Sequence, residues 1–270
     1  MRDNFPPVAA APLDQADGLR RMFSGARQFF IPVVANLHVT FAGVLLERLS
    51  TALASLGARV LLVDAADASP ALPELAMFDL AACVEQLDPN TAYLAGRGLP
   101  REYVDTRGSA VSLLDALAHA APQADVVLLY GEVSDLARVF QRRDARPLVL
   151  AADNPESLKY AYAACKIFAQ RCGLMTFDLL LALPESSPRA AAIQASLAGC
   201  ADRFLGSMLR ASAIVDPAVD VAEAPSPDLR HLLAQQLMLE PVPGHAAGRT
   251  SAITPTHTNT SHRDWHATTN

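Results

Sequence analysis

Hydrophobic residues between about positions 30 and 240 follow two alternating patterns. Short continuous apolar runs, typical of strands buried on both faces, lie at 30–35, 59–64, 124–130, 146–151, 177–183 and, as a last short strand, 212–215. Apolar residues at helical spacing predict helices over 41–56, 75–87, 157–171, 190–203 and 225–240. Strands that alternate with helices of this length indicate βαβ units. We therefore predict a doubly wound α/β fold with a mainly parallel sheet.

The same patterns divide the chain into three parts. Residues 1–28 contain a proline-rich lead and a short amphipathic helix predicted over 13–25. Residues 29–240 form the predicted α/β domain, and the apolar face of its last helix is expected to pack on that domain. From 241 to 270 the chain is polar with few core-forming residues, so we predict a disordered tail.

Composition narrows the function classes. The formal net charge of −6 argues against nucleic-acid binding. The four cysteines show no CxxC spacing and are expected to be reduced, which fits a cytoplasmic protein. The apolar stretch 29–46 is interrupted by Pro32, Asn36 and His38, which favours a buried strand, a loop and a helix over a membrane span.

The predicted N-terminal helix has one apolar stripe, made by Leu13, Ala16, Leu19, Met22 and Phe23. An amphipathic helix tethered by a proline-rich lead is suited to docking on another protein. The alternative is that it packs on its own domain, and the spacing leaves both interpretations open.

The segment from Asp14 to Arg20 reads DQADGLR, and it resembles the DQAxGLR segment that opens the FlhG (FleN) flagellar regulators of the MinD/ParA superfamily. The matching residues are Asp14, Gln15, Ala16, Gly18, Leu19 and Arg20. The resemblance implies that this segment binds and stimulates an FlhF-like GTPase of the signal-recognition-particle type, with Gln15 entering the partner's active site. It also implies control of flagellar number or placement, in the cytoplasm or held at the cell pole or inner membrane by a partner.

Two longer segments resemble the MinD/ParA-type P-loop ATPase fold. Residues 57–65 read GARVLLVDA, similar to the family's G-x-R-V-L-L-x-D-A strand. Residues 152–162 read ADNPESLKYAY and are followed by Lys166, similar to T-P-E-P-T-S-L-x-D-A-Y-x-x-x-K. The resemblance extends over about residues 30–240 and implies the same doubly wound sheet.

The family's phosphate loop, K-G-G-x-G-K-[ST], aligns with LHVTFAG at 37–43. Leu37 stands at the signature lysine, Ala42 at the P-loop lysine and Gly43 at the magnesium-binding hydroxyl. His38 cannot replace the lysines at neutral pH, because an unperturbed imidazole has a pKa of about 6.5. The loop has one glycine, so it lacks both the backbone freedom and the charge that cradle phosphates.

The acidic positions of the nucleotide site are also altered. Asp64 is retained and is the candidate residual acid, but Ala66 stands at the family's second acid and Asp67 lies one residue late. Tyr130 replaces the aspartate of the later strand, and Glu132 is displaced from it. We predict a pseudo-ATPase with no catalytic residue, metal site or cofactor; ATP and magnesium would bind only if the altered loop still accepts them.

Two alternatives to an FlhF-binding regulator stay open. The chain could be a MinD-like ATPase with an altered nucleotide loop, or a scaffold or antiactivator of a flagellar transcription factor. Flagellar switch components are further candidate partners, and a homodimer is compatible with the sequence. Membrane contact through 225–240 is expected to be weak or absent, because its polar face has only Arg230 and His231 as bases.

Overall fold

The computed structural model describes residues 28–220 and 223–238. Within them the strands are β1 (Phe29–Val34), β2 (Val60–Asp64), β3 (Glu85–Asp88), β4 (Thr91–Ala95), β5 (Val126–Gly131), β6 (Leu148–Ala152), β7 (Thr176–Ala182) and β8 (Met208–Val215). The helices are α1 (Ala42–Ser55), α2 (Leu99–Glu102), α3 (Ser112–Ala120), α4 (Val133–Val139), α5 (Pro155–Cys172), α6 (Ala190–Leu205) and α7 (Pro227–Leu237).

The eight strands of the described residues form one sheet in the order β3-β4-β2-β5-β1-β6-β7-β8. Every neighbouring pair is parallel except β3 and β4, which are antiparallel at one edge. Helices follow the parallel strands and cover both faces, so the prediction of a doubly wound, mainly parallel α/β sheet is confirmed.

Two hydrophobic clusters, one on each face of the sheet, form the core. Helices α3, α4, α5 and α6 pack on one face and α1 and α7 on the other. Alternate residues of β5 point to opposite clusters: Val127 and Leu129 join the first, whereas Val126 and Leu128 join the second. Burial on both sides explains why the central strands are continuous apolar runs.

Helix α7 is packed on the domain as expected from the sequence. Its apolar residues are buried against α1 and the sheet: Leu229, Leu232, Leu233 and Leu237. Gln236 on the same face is also buried and donates from Nε2 to the Arg146 carbonyl (3.0 Å) and to Asp178 Oδ2 (2.7 Å). Because a buried polar group needs its hydrogen-bond partners, these two bonds also fix the position of α7 on the domain.

The prediction of a helix over 75–87 is wrong. Two short 3₁₀ turns, Glu74–Met77 and Ala81–Cys83, and strand β3 occupy this stretch. An α-helix is stabilised by burying one face, but Leu75, Met77 and Phe78 are exposed here.

Other elements differ from the sequence-based expectation in extent or were not predicted. Strand β4 was missed because a tight turn reverses the chain before it, where Asp88 Oδ1 accepts the Asn90 N–H (2.7 Å). Helices α2, α3 and α4 were missed as well. Strand β8 begins at Met208, four residues before the predicted start at Ser212.

The predicted docking helix at 13–25 and the predicted disordered tail at 241–270 lie outside the described residues. The three-part division of the chain therefore stays a prediction. Among the residues that the structure describes, no helix has the length and apolar character needed to cross a membrane.

Candidate functional site

The loop between β1 and α1 lies at the carboxyl end of the parallel sheet, where doubly wound folds bind ligands. Asn36 follows β1 and is buried, with 2% of its surface exposed. Its side-chain Nδ2 donates to the carbonyl of Leu150 (2.8 Å), and to the carbonyl and Oγ of Ser157 (both 3.1 Å). One amide thus ties the loop to β6 and to the start of α5.

The backbone of residues 38 and 39 is held by the side chains and carbonyl groups of Asn36 and Asn154. The His38 N–H donates to Asn36 Oδ1 (3.1 Å), and the Val39 N–H donates to the Asn36 carbonyl (2.9 Å). Asn154, which caps α5 through Ser157, donates from Nδ2 to the His38 carbonyl (3.1 Å). A phosphate nest needs free N–H groups that point at the anion, and these two N–H groups are already bonded inside the protein.

The three positions that distinguish this loop from a phosphate loop lie at the surface or at the start of α1. The side chain of Leu37 is exposed, Ala42 is the first residue of α1, and Gly43 follows it. Phe41 precedes the helix in a left-handed backbone conformation (φ 60°, ψ 35°) with no side-chain cap. The loop therefore presents two exposed apolar side chains, Leu37 and Phe41, at the aligned position of the phosphate site.

Asp64, the candidate residual acid, ends β2 and is engaged by two hydroxyl groups. Ser69 Oγ donates to its Oδ1, and the Tyr93 hydroxyl donates to its Oδ2 (3.4 Å). Burial, together with the nearby Asp64 carboxylate, raises the pKa of Tyr93 to about 12. Asp64 therefore holds the loop that follows β2 through its bond to Ser69. Asp67, in the same loop, is paired with Arg101 (2.7 Å).

The end of β5 adds Tyr130 and, just after it, Glu132, and helix α5 adds Tyr160. The Tyr160 hydroxyl donates to Glu132 Oε2 (2.8 Å), and its ring lies edge-on to His38 with centroids 6.1 Å apart. Burial raises the pKa of Tyr130 to about 12, with further contributions from the Asp64 and Glu132 charges. Burial and then the Glu132 hydrogen bond likewise raise the pKa of Tyr160.

This arrangement does not fit the ATP phosphates that the fold family implies. Positions 37 and 42 supply no cation, and the carboxylates of Asp64 and Glu132 give the corner negative charge. Arg101, a cation close by, already pairs with Asp67 and with Asp135 (2.9 Å). Nucleotide phosphates bind where hydrogen-bond donors and positive charge converge, and the loop at 36–43 contains no lysine or arginine to supply that charge.

Sequence reasoning singled out Leu37, His38, Ala42, Gly43 and Asp64, and the structure brings all of them to the carboxyl end of the sheet. It gave no role to Asn36, Asn154 and Ser157, which hold the loop, or to Tyr160, whose ring lies beside His38. The Asn-Pro pair at 154–155 is a helix-start signal that could have located one of them. The predicted partner-binding residues Asp14, Gln15, Ala16, Gly18, Leu19 and Arg20 lie outside the described residues.

No protein-family model and no curated protein matches the chain. Solved structures do share its fold. A plasmid partition protein from Borrelia burgdorferi B31 bound to AMPPNP is 10% identical, with 77% of this chain and 97% of that chain covered and a TM-score of 0.55. Cobyrinic acid a,c-diamide synthase from Mycobacterium smegmatis, with bound ADP and magnesium, is 15% identical, with 80% and 99% covered and a TM-score of 0.55. The chain therefore has the fold of the ParA/MinD-type P-loop NTPases.

Proposed function

We propose that this chain is a regulator of flagellar biogenesis, similar to FlhG, that binds and stimulates an FlhF-like GTPase through residues 13–24 and has lost its own ATPase activity. The observation that carries the proposal is the DQADGLR segment from Asp14 to Arg20, placed ahead of a domain with the ParA/MinD-type fold. The flagellar role and the partner come from the resemblance of that segment.

Loss of the ATPase is supported by energetics. The two lysines replaced by Leu37 and Ala42 would each make charge-assisted contacts with phosphate worth about 1.5–3 kcal/mol. Losing both weakens nucleotide binding by roughly 10²- to 10⁴-fold, since about 1.4 kcal/mol is tenfold in affinity.

A regulator of this kind would act by placing a side chain in its partner's active site and not by hydrolysing ATP itself. An amide placed in a partner's active site can position water or stabilise the charge that develops during phosphoryl transfer. Gln15 is the residue of the segment that carries a side-chain amide, so we assign it this role. Stimulation would then need no ATP, because the domain serves as a fixed carrier for the segment.

GTP turnover by the cognate FlhF, measured with and without this chain and with no ATP present, tests the proposal. We expect the intact chain to stimulate turnover and Gln15→Ala to abolish the stimulation. Asp17→Ala is the matched control, because Asp17 occupies the variable position of the motif, and it should retain most of the effect.

Two other results would overturn the proposal in different ways. Stimulation that appears only when ATP is added would favour a MinD-like ATPase with an altered loop. No stimulation by the intact chain would remove the assigned role of residues 13–24 and favour a scaffold or antiactivator of a flagellar transcription factor.

A further inference from the structure

Two carboxylates at the carboxyl end of the sheet have no cation to pair with. Among the residues that the structure describes, Asp64 and Glu132 form no ion pair, and their side-chain partners are neutral hydroxyl groups. By contrast, Asp67 and Asp135, each three residues further along the chain, both pair with Arg101. A hydroxyl donor does not neutralise a carboxylate, so two negative charges stay uncompensated here.

Tyr130 lies beside both of these acids. Asp64 is its register partner on the neighbouring strand β2, and Glu132 follows two residues later in the chain. Tyr130 is 8% exposed, and its hydroxyl forms no hydrogen bond within the described ranges, although buried polar groups are normally bonded. Burial first, and then the charges of Asp64 and Glu132, raise the pKa of Tyr130 to about 12, so both carboxylates act on this hydroxyl.

The two carboxylates also have acceptor capacity left over. Tyr160 donates to Glu132 Oε2 (2.8 Å), while Glu132 Oε1 receives no hydrogen bond from any described residue. The bond from the Tyr93 hydroxyl to Asp64 Oδ2 is long, at 3.4 Å, and therefore weak. An ionised carboxylate only accepts hydrogen bonds, so both acids can take a further donor.

We propose that Asp64, Tyr130 and Glu132, which we call the acidic corner, bind an aliphatic primary ammonium ion. An ammonium group carries donors and no acceptor, and it would donate to Asp64 Oδ2, to the Tyr130 hydroxyl oxygen and to Glu132 Oε1. Its bonds to the two carboxylates are charge-assisted, which makes them stronger than bonds between neutral groups. Tyr93 and Tyr160, which bind the same two carboxylates, bring two more aromatic rings to the corner, and tyrosine rings attract cations.

A metal ion fits the acidic corner less well than an ammonium ion does. In residues 28–220 and 223–238, no three His, Cys, Asp or Glu side chains are grouped closely enough to hold a metal ion. Magnesium is usually held by one or two carboxylates together with the phosphates of a substrate. The loop at 36–43 offers those phosphates no lysine or arginine.

The ammonium group can come from a free amine or from a lysine side chain of another protein, because both present the same chemistry. The site is built from residues of the α/β domain alone. It therefore depends neither on residues 13–24 nor on the GTPase of the proposed function, and it can be tested without them.

Equilibrium dialysis of the full-length protein against radiolabelled 1,4-diaminobutane, at low ionic strength where screening is weak, tests the proposal. We expect one saturable site per chain. Asp64→Asn/Glu132→Gln should weaken binding at least about tenfold, because it removes both charge-assisted bonds and keeps the shapes of the side chains.

The matched control is Asp202→Asn/Glu185→Gln, which should bind the diamine as the intact chain does. It removes the same two negative charges at exposed positions, on helix α6 and after strand β7. The chain has a formal net charge of −6, so this control accounts for general attraction of a cation to an acidic protein. Equal weakening in both double variants would overturn the proposal.

Tyr130→Phe tests the same site without changing its charge. It removes the unpartnered hydroxyl and keeps the ring, so the fold should be retained. We expect binding to weaken by roughly three- to tenfold, since a hydrogen bond to a charged group is lost. Unchanged binding in this variant would contradict the assigned role of the Tyr130 hydroxyl.

Competition experiments identify the source of the ammonium group. Displacement of the diamine by Nα-acetyl-lysine amide at a lower concentration than by unlabelled diamine would assign the site to a lysine side chain, and the reverse order would assign it to a free amine. We expect magnesium chloride at the same concentration as the diamine to displace little of it. Full displacement by magnesium, or no saturable binding of either amine, would overturn the proposal.

Discussion

At residue scale, Phe41 shows how the loop departs from a phosphate loop. Its backbone keeps a left-handed conformation (φ 60°, ψ 35°), which glycine adopts freely and a bulky residue adopts at a cost. In the alignment with the phosphate loop, position 41 is a glycine of the K-G-G-x-G-K-[ST] pattern. The backbone at position 41 therefore has a conformation suited to glycine, although phenylalanine occupies it.

Phe41→Gly is expected to raise the free energy of unfolding by about 0.5–1 kcal/mol. The left-handed conformation costs a non-glycine residue roughly 1–2 kcal/mol, and glycine recovers part of this after its larger loss of backbone entropy. Little hydrophobic burial is lost, because Phe41 is 68% exposed. Urea unfolding of the two proteins measures the difference.

Thr40→Gly is the matched control, because Thr40 is exposed and is not among the described residues with positive φ. It should lower stability by roughly 0.5–1 kcal/mol. A Phe41→Gly protein that is less stable than the original would show that the Phe41 side chain makes a stabilising contact.

Tyr130 gives a second prediction at residue scale, on pH. Burial raises its pKa to about 12 from an ordinary value near 10, so the folded protein holds the phenol proton more tightly than the unfolded chain does. The stability linked to Tyr130 is therefore intact below about pH 10 and is lost as the pH rises through about 12. We expect Tyr130→Phe to lose less stability between pH 9 and 12, by up to about 1.4 kcal/mol per pH unit.

The measurement is the free energy of unfolding of both proteins across this pH range. Tyr93 has a raised pKa in both proteins, so its contribution cancels in the difference between the two curves. That difference reports the ionisation of Tyr130 together with its effect on the pKa of the neighbouring Tyr160. Parallel curves would contradict the assignment, because they would mean that ionisation of Tyr130 does not differ between the folded and unfolded states.

At the scale of elements, the packing of helix α7 on the domain can be tested by its contribution to stability. Leu233 on its inner face is fully buried, so Leu233→Ala should cost about 2–5 kcal/mol of stability. Arg230→Ala, an exposed change on the same helix, should stay within about 0.5 kcal/mol. A loss below about 1 kcal/mol for Leu233→Ala in urea unfolding would mean that α7 is not firmly attached.

Elements that bury a continuous or periodic apolar surface were predictable from the sequence. Strands β1, β2, β5, β6 and β7 are examples, because burial on both faces makes their runs almost entirely apolar. Asp178 within β7 is an exception, and it is buried in an ion pair with Arg146 (2.7 Å). Strand β3 was not predictable, since all four of its residues are exposed and pairing with β4 alone defines it. Helix α3 was predictable in principle, because Leu113, Leu114 and Leu117 have helical spacing and are buried.

At the scale of the whole molecule, the candidate site consists of contacts between distant segments. Asn36 and Ser157 are 121 residues apart in sequence, and Glu132 and Tyr160 are 28 apart. Alignment with the family motif indicated which residues replace the lysines, because the motif lies within seven consecutive residues, 37–43. It could not indicate that Asn36 binds β6 and α5, because an asparagine in a loop has many potential partners.

The central claim of this account is that the domain keeps the P-loop fold without its nucleotide chemistry. Calorimetric titration of the full-length protein with ATP and magnesium tests this claim most directly. We predict no saturable binding up to millimolar ATP, because positions 37 and 42 carry no cation and Asn36 ties the loop to β6 and α5. Saturable binding with a micromolar Kd would contradict the account and would favour an ATPase that uses an altered loop.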